Sequence, residues 1–323
     1  MPDLMQAATA RRYGGPEVMA IETLPRPVPG PGQLLIRVGA FGVTRGDARI
    51  RGLDVPRGMG PMLRLMFGLT RPRQPVLGRE FAGVVAGIGS DVTGWSEGTA
   101  VMGITDGMRM GAGAEYCVVS ADKLVLPRPE SLTAPEAAGY FFGILTAADF
   151  LIDQCGLQPG ERLLVNGATG AVGAPAVWLG THLGAEVTAT CSTPNHAFAQ
   201  SMGAAHVHDY RNGLPAGPVD VIFDIPGTLP YAVARPIMSD NGRLAMATAD
   251  LLPQLGAALR PRRGQHRLAA GIVKETRDAL TRALSYHAQG YRPEIVTFPL
   301  AEVVEAHRLA SSGHKPGNVV VTV

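Results

Sequence analysis

The chain has 323 residues, a formal charge of +2, 46% hydrophobic and 17% charged residues; this suits two folded domains and excludes a disordered segment or a nucleic-acid binder working through a basic stripe. Its three cysteines, Cys117, Cys155 and Cys191, lie far apart without a Cys-x-x-Cys pair, which excludes a disulfide framework and a zinc site built on clustered thiolates. Met1-Pro2-Asp3-Leu4 carries no basic stretch leading into an apolar run, so no signal peptide is read. The expectation is a soluble cytoplasmic protein that binds neither nucleic acid nor membrane.

Up to about residue 125 the chain is a series of short apolar runs punctuated by Gly and Pro. They are Leu34–Val38, Phe81–Ile88, Thr99–Met102 and Tyr116–Val119, a spacing that predicts an irregular all-β, barrel-like unit. Between Val55 and Arg79 lie five arginines and no acid. Half of the twelve methionines fall between Met59 and Met110. Met62-Leu63-Arg64-Leu65-Met66-Phe67 then has two readings: an adaptable lid for flat hydrophobic molecules, since thioethers repack easily, or a short helix packed on the barrel or at a subunit contact. Docking on a membrane surface is the weaker third, because the run is short and its helical face mixed.

From about residue 160 the rhythm becomes strand, helix, strand. Apolar strands start near Leu163, Val187, His206, Val219, Arg243 and Arg267, and six such strands suit a doubly wound parallel sheet. Leu300–Ser311 then reads as an amphipathic helix and Asn318–Val323 as a closing strand, which returns to the first domain.

The strongest local signal is Leu163-Leu164-Val165-Asn166-Gly167-Ala168-Thr169-Gly170-Ala171-Val172-Gly173: strand, tight glycine turn, helix. Glycines at 167, 170 and 173 let the backbone bend sharply and let a pyrophosphate approach the amides that open the helix. Val172, Ala176, Leu179 and Leu183 fall on one face, as a helix lying on a sheet requires, and Pro175 is tolerated in the first turn. A glycine turn that merely packs helix on sheet remains the plain alternative. The second strand, Glu186–Cys191, ends in Ser192-Thr193-Pro194-Asn195-His196, without the acidic side chain that accepts the adenosine ribose hydroxyls in NAD sites. Ser192 and Asn195 can donate to a 2′-phosphate, and Tyr210-Arg211 can add a ring and a charge, so NADP(H) is expected.

These residues resemble the medium-chain dehydrogenase/reductase superfamily, in its zinc-independent quinone oxidoreductase-like branch. The matching stretches are Arg12–Glu17, Pro75–Val85, Gly113–Tyr116, Gly143–Ala148, the glycine turn, Gly203–Tyr210, and Ala306-His307-Arg308 to Gly313-His314. The resemblance implies an α/β protein: a GroES-like β-barrel catalytic domain, residues 1–124 and 263–323, interrupted by a Rossmann nucleotide-binding domain, residues 125–262, with the active site in the cleft between them. It also implies a homodimer and NADPH-dependent reduction of small, hydrophobic, electron-poor quinones or α,β-unsaturated carbonyls. By position the cofactor meets Thr146, Thr169, Gly170, Ala171, Val172, Ser192, Asn195 and Tyr210, with Ile225, Gly271 and Ile272 near the nicotinamide half. Many relatives carry a Lys where Asn195 stands.

Zinc-dependent members put a Cys near Thr44 and a His where Arg79 stands; neither threonine nor guanidinium is a plausible zinc ligand, so no metal is expected. Without a metal, reduction of an acceptor that delocalises its own oxyanion is easier than alcohol oxidation. The catalytic candidates are Thr44, as a donor to substrate oxygen, Asp47, ordering the pocket, and Arg79, as a fixed charge near the oxyanion. Each has a structural alternative: Asp47 paired with Arg45, Arg49 or Arg79, and Arg79 in a plain internal salt bridge. Two rival functions stay open, a metal-free alcohol or aldehyde reductase and a cofactor-binding redox sensor with little turnover.

Overall fold

The computed structural model describes residues 3–54, 58, 60–107, 109–259, 262–313 and 317–323. Val55, Arg57, Met59 and Met108 of the arginine- and methionine-rich stretch, and His314, lie outside the described residues. The strands are β1 (Leu4–Ala10), β2 (Met19–Pro25), β3 (Gln33–Val43), β4 (Glu80–Ile88), β5 (Ala100–Ile104), β6 (Tyr116–Ser120), β7 (Val125–Pro127) and β8 (Arg162–Asn166). They continue with β9 (Glu186–Cys191), β10 (His206–Asp209), β11 (Val219–Asp224), β12 (Met238–Met246), β13 (Arg262–Arg263), β14 (His266–Ala270), β15 (Ile295–Pro299) and β16 (Asn318–Thr322). The helices are α1 (Arg45–Gly52), α2 (Gly60–Phe67), α3 (Ala134–Ala138), α4 (Phe141–Ala148), α5 (Gly173–His182), α6 (His196–Ser201), α7 (Tyr231–Ala234), α8 (Leu251–Leu259), α9 (Arg277–Ala288) and α10 (Val303–Ser312). None is long and apolar enough to cross a membrane.

The chain forms two compact units, one of Met1–Val55, Gly60–Phe141 and Glu275–Val323, the other of Pro56–Met59 and Phe142–Lys274. The first is GroES-like. Its main sheet runs β15-β16-β3-β4-β5-β7, with β6 also on β3. The closing strand β16 pairs antiparallel with β3, so the chain's end does return to this unit. Period-two patterning drives it: Leu34, Ile36, Phe41, Phe81, Val101 and Val321 point into one core. The amphipathic helix α10 adds Val303, Ala306 and Ala310.

The second unit is a Rossmann-like sheet ordered β10-β9-β8-β11-β12-β14-β13, all parallel except the short edge strand β13. Leu163, Leu164 and Val165, and likewise Val221, Ile222 and Phe223, are buried in succession, as strands covered on both faces must be. The order reverses between β8 and β11, so the crevice beyond their carboxyl ends is where such a sheet binds ligands. The sequence boundaries at 124/125 and 262/263 differ from these units: β7 is held in the barrel by β5, and β14 in the parallel sheet by β12.

Candidate functional site

The glycine turn is built from backbone. Gly167 has φ +80°, a conformation that a Cβ disfavours. At Gly173 a Cβ would stand 2.1 Å from the Gly167 carbonyl oxygen, so only glycine lets α5 start this close to the strand. Gly170 differs: a Cβ there would meet nothing nearer than 3.8 Å, which leaves the space beside the amides that open α5 free for a ligand. The helix start has no side-chain cap of its own at Val172; the Ala174 amide donates to the Gly170 carbonyl at 3.0 Å, and among the described residues the Gly173 amide is left without an acceptor, open to an anion or solvent. Pro175 sits within this first turn. The start of α4 packs on the turn, since a Cβ on Gly143 would lie 1.9 Å from the Ala171 carbonyl oxygen. That contact brings Thr146, Ala171 and Val172 to one place, although the Thr146 hydroxyl donates to the Phe142 carbonyl at 2.7 Å.

Thr169, Ser192 and Asn195 also come together. The Asn195 amide donates to Ser192 Oγ at 3.3 Å and reaches Thr169 Oγ1 at 3.5 Å. No carboxylate stands at the end of β9, but Asp209, at the end of β10, lies one strand over. Its carboxylate accepts from the Thr193 hydroxyl and amide, and from the Arg211 amide and Nε. These bonds, the Thr193 hydroxyl foremost, hold it well below the usual carboxylate range. Asp209 therefore fixes the Ser192–Asn195 turn while Arg211 neutralises it; the Arg211 charge is thus paired rather than free. Tyr210 is 50% exposed, with the Arg211 guanidinium 5.8 Å from its ring centre.

At the switch point the sheet ends in a buried polar network that the sequence reading missed. Asn166 donates to Asp224 and Thr228 and accepts from Thr190, each bond 2.6–2.9 Å. Asp224 also accepts the amides of Gly227, Thr228 and Leu229. Burial raises its pKa, and the Leu229 amide leads the bonds that oppose this. The loop so tied carries Ile225 and Pro226 against the glycine turn; a Cβ on Gly167 would be 3.0 Å from Pro226 Cδ. The signal was present: two apolar strands, Leu163–Val165 and Val221–Phe223, each end in a polar residue just before a glycine-bearing loop. Gly271 (φ +142°) and Ile272, 89% exposed, follow β14 at this same carboxyl end of the sheet.

In the barrel unit, Thr44 is the N-cap of α1 and Asp47 its third residue, in a reciprocal capping box. Asp47 Oδ2 accepts from the Thr44 amide and hydroxyl, both at 2.7 Å, and Oδ1 accepts from the Gly78 amide at 3.2 Å. Asp47 is therefore no partner of Arg45, Arg49 or Arg79 in an ion pair: local N-cap geometry captures it first. Burial raises its pKa, against the opposing Thr44 bonds. The Thr44 hydroxyl proton is directed at Asp47 rather than outward. Arg79 forms a two-pronged ion pair with Glu275, at 2.9 and 2.6 Å, and not with its neighbour Glu80. Its charge is matched, so it is not the free cation expected beside an oxyanion. Glu80 instead accepts from the Phe141 amide at 2.7 Å.

The Met62–Phe67 run is helical, α2, with none of its side chains buried and Met62, Leu65 and Met66 exposed. Among the described residues no three His, Cys, Asp or Glu side chains converge, and the positions of the zinc ligands hold a threonine engaged by Asp47 and an arginine engaged by Glu275.

Comparison with known proteins agrees with this architecture. Residues 30–130 match the alcohol dehydrogenase GroES-like domain family and residues 202–321 the zinc-binding dehydrogenase family. The chain is 28% identical to the chloroplastic quinone oxidoreductase QR1 of Triphysaria versicolor, over 98% of each chain. The structure of the quinone oxidoreductase from Coxiella burnetii superposes with a TM-score of 0.88 at 26% identity, covering 99% of this chain and 100% of that one. The chain belongs to the medium-chain dehydrogenase/reductase superfamily, in its quinone oxidoreductase-like branch. A further relative is the 2-methylene-furan-3-one reductase of Solanum lycopersicum, 31% identical over 78% of this chain and 64% of that protein. This superfamily comprises oxidoreductases that bind nicotinamide cofactors, and the open glycine turn of the present member fits such a dinucleotide.

Proposed function

We propose that this medium-chain oxidoreductase uses NADPH, without zinc, to reduce quinones or α,β-unsaturated carbonyls by direct hydride transfer. The observation that carries the cofactor choice is the end of β9, where Ser192 and Asn195 stand in place of a carboxylate and the one acid close by, Asp209, is fully engaged. A 2′-phosphate would meet donors there and no unpaired negative charge. The Gly173 amide, with Thr169, Gly170, Ala171 and Val172 around it, would hold the pyrophosphate. Thr146, Ile225, Gly271 and Ile272 would line the nicotinamide end, and Tyr210 would cover the adenosine. When bound, NADPH supplies a hydride, which a quinone or enone accepts while delocalising the resulting negative charge.

The protein's own part is to orient and to exclude water. Asp47 holds Thr44 and Gly78 in place, solvent returns the proton, and the exposed apolar side chains of α2 offer a surface for a flat hydrophobic acceptor. The activities named for two relatives, a quinone oxidoreductase and a 2-methylene-furan-3-one reductase, support this substrate class. A cytoplasmic homodimer completes the reading, checked by light scattering.

The test is oxidation of NADPH, and separately of NADH, by purified protein with a large polycyclic quinone and then an enone. NADPH-selective turnover is expected. Turnover with NADH alone would overturn the cofactor choice; tight NADPH binding without turnover on either acceptor would overturn the enzymatic one.

A further inference from the structure

Three consecutive residues, Gly78, Arg79 and Glu80, each grip a different piece of chain. The Gly78 amide is held by Asp47 at the start of α1. Glu80 takes the amide of Phe141, the last residue of the barrel unit before the chain leaves it. Arg79 takes the carboxylate of Glu275, the first residue after the chain comes back. Both side chains of this last pair are 26% exposed, so solvent screens it only in part. The pairing is two-pronged, which fixes direction as well as distance. Among the described residues Arg79 Nε is buried without a hydrogen-bond partner, and both side-chain hydrogen bonds of the guanidinium go to Glu275.

Glu275 lies near the end of a stretch without regular structure. From the end of β14 at Ala270 to the start of α9 at Arg277 the chain has neither helix nor strand. No side-chain hydrogen bond or ion pair engages residues 271–274. A Cβ on Gly271 would meet nothing within 4 Å, and Ile272 is 89% exposed. A short segment held at its two ends has its freedom set by those ends, here the β14 ladder on one side and, on the other, the Arg79–Glu275 pair beside Thr276, the N-cap of α9.

We propose that Arg79 is a positioning residue: through Glu275 it restrains the segment Gly271–Lys274 so that Gly271 and Ile272 are preorganised for the nicotinamide end of the cofactor. This rests on the reading of that segment given under the proposed function. It replaces the expectation of Arg79 as a charge beside the oxyanion with a role exerted on binding. Releasing one end adds the ordering of the segment to the binding step, and weakens NADPH without touching contacts made by the adenosine end.

The experiment compares wild type with R79M, E275Q and the charge swap R79E/E275R. Affinities for NADPH and for 2′,5′-ADP, which has only the adenosine end, are read by calorimetry, and exchange of backbone amides at 271–277 by mass spectrometry without ligand. The single variants should weaken NADPH by about threefold to tenfold, leave 2′,5′-ADP within about twofold, and exchange faster at 271–275. The swap should recover most of the NADPH affinity. Unchanged NADPH affinity or unchanged exchange in the singles would overturn the proposal, as would equal loss of both ligands, which marks a merely structural pair. Should wild type bind neither ligand, the cofactor reading itself fails, and that failure shows before any variant is made.

Discussion

The glycine turn and the corner from Thr44 to Glu80 do comparable work with different materials. At the turn, backbone meets backbone: carbonyls stand where side chains would begin, at 2.1 Å for position 173 and 1.9 Å for position 143. At the corner, side chains reach to backbone and to each other: Asp47 to Thr44 and Gly78, Glu80 to Phe141, Arg79 to Glu275. The first arrangement fails when an atom is added, the second when one is removed. Packing is unforgiving at short range, whereas a buried polar contact is lost only when its partner is left unsatisfied.

That contrast can be broken or sharpened by five variants. The largest effect is expected of Gly173→Ala, whose added methyl collides with backbone that has no rotamer to escape into; it should lose about 3 kcal/mol in denaturant unfolding. If it melts like wild type, the turn is looser than described. Asp47→Ala comes next, because it strands the Thr44 and Gly78 amides and removes the cap of α1, at a loss of about 2 kcal/mol in the same measurement. Asp47→Asn, which keeps one acceptor, should lose less.

The third effect depends on pH. His307 is buried in the barrel unit, where Arg51 donates to its Nδ1 at 2.9 Å, and burial, helped by that guanidinium, pushes its pKa down to about 3. In the unfolded chain the imidazole takes a proton near pH 6.5, so from there down to about pH 3 the unfolded state binds more protons and stability falls as pH falls. Its share is about 1.4 kcal/mol per pH unit at most, read as the difference in slope between wild type and His307→Gln; parallel slopes would refute it. Gly170→Ala should change stability least, by about 0.5 kcal/mol or less, since its methyl has room. It should still weaken NADPH by about tenfold in a fluorescence titration, because the proposed function puts the pyrophosphate in that room. An unaltered affinity would place the ligand elsewhere.

The same contrast explains what could be read from the amino-acid order. The turn, the six parallel strands and the returning β16 are local patterns: glycine spacing, apolar runs, alternation. They were legible because the cause of each lies within a few residues. The Thr44–Asp47 capping box is legible in principle for the same reason, a threonine three residues before an acid. Arg79–Glu275 was not, since its partners are 196 positions apart and nothing in either neighbourhood announces the other. Asp209 and Asp224 fall between: each is a polar residue ending an apolar strand, visible as an anomaly, but the amides that claim it are set by how the following loop folds. At Arg79 a sequence shows a cation and not its counter-ion, so the salt-bridge alternative could be stated but its partner, Glu275, could not be named.

The grip of two adjacent residues on both chain crossings has a consequence for how such a molecule can be rebuilt. Phe141 and Glu275 are held by neighbours in the sequence, so in the barrel unit the points where the chain departs and resumes are only side-chain lengths apart. An excursion that starts and finishes at nearly one place is an insertion, and its host need not register how long it is. A linker of about eight residues, which can span roughly 27 Å when extended, is enough to bridge 141 to 275 and leave a free-standing barrel. The reciprocal piece, the excised fragment 142–274, would deliver the parallel sheet as a module in its own right.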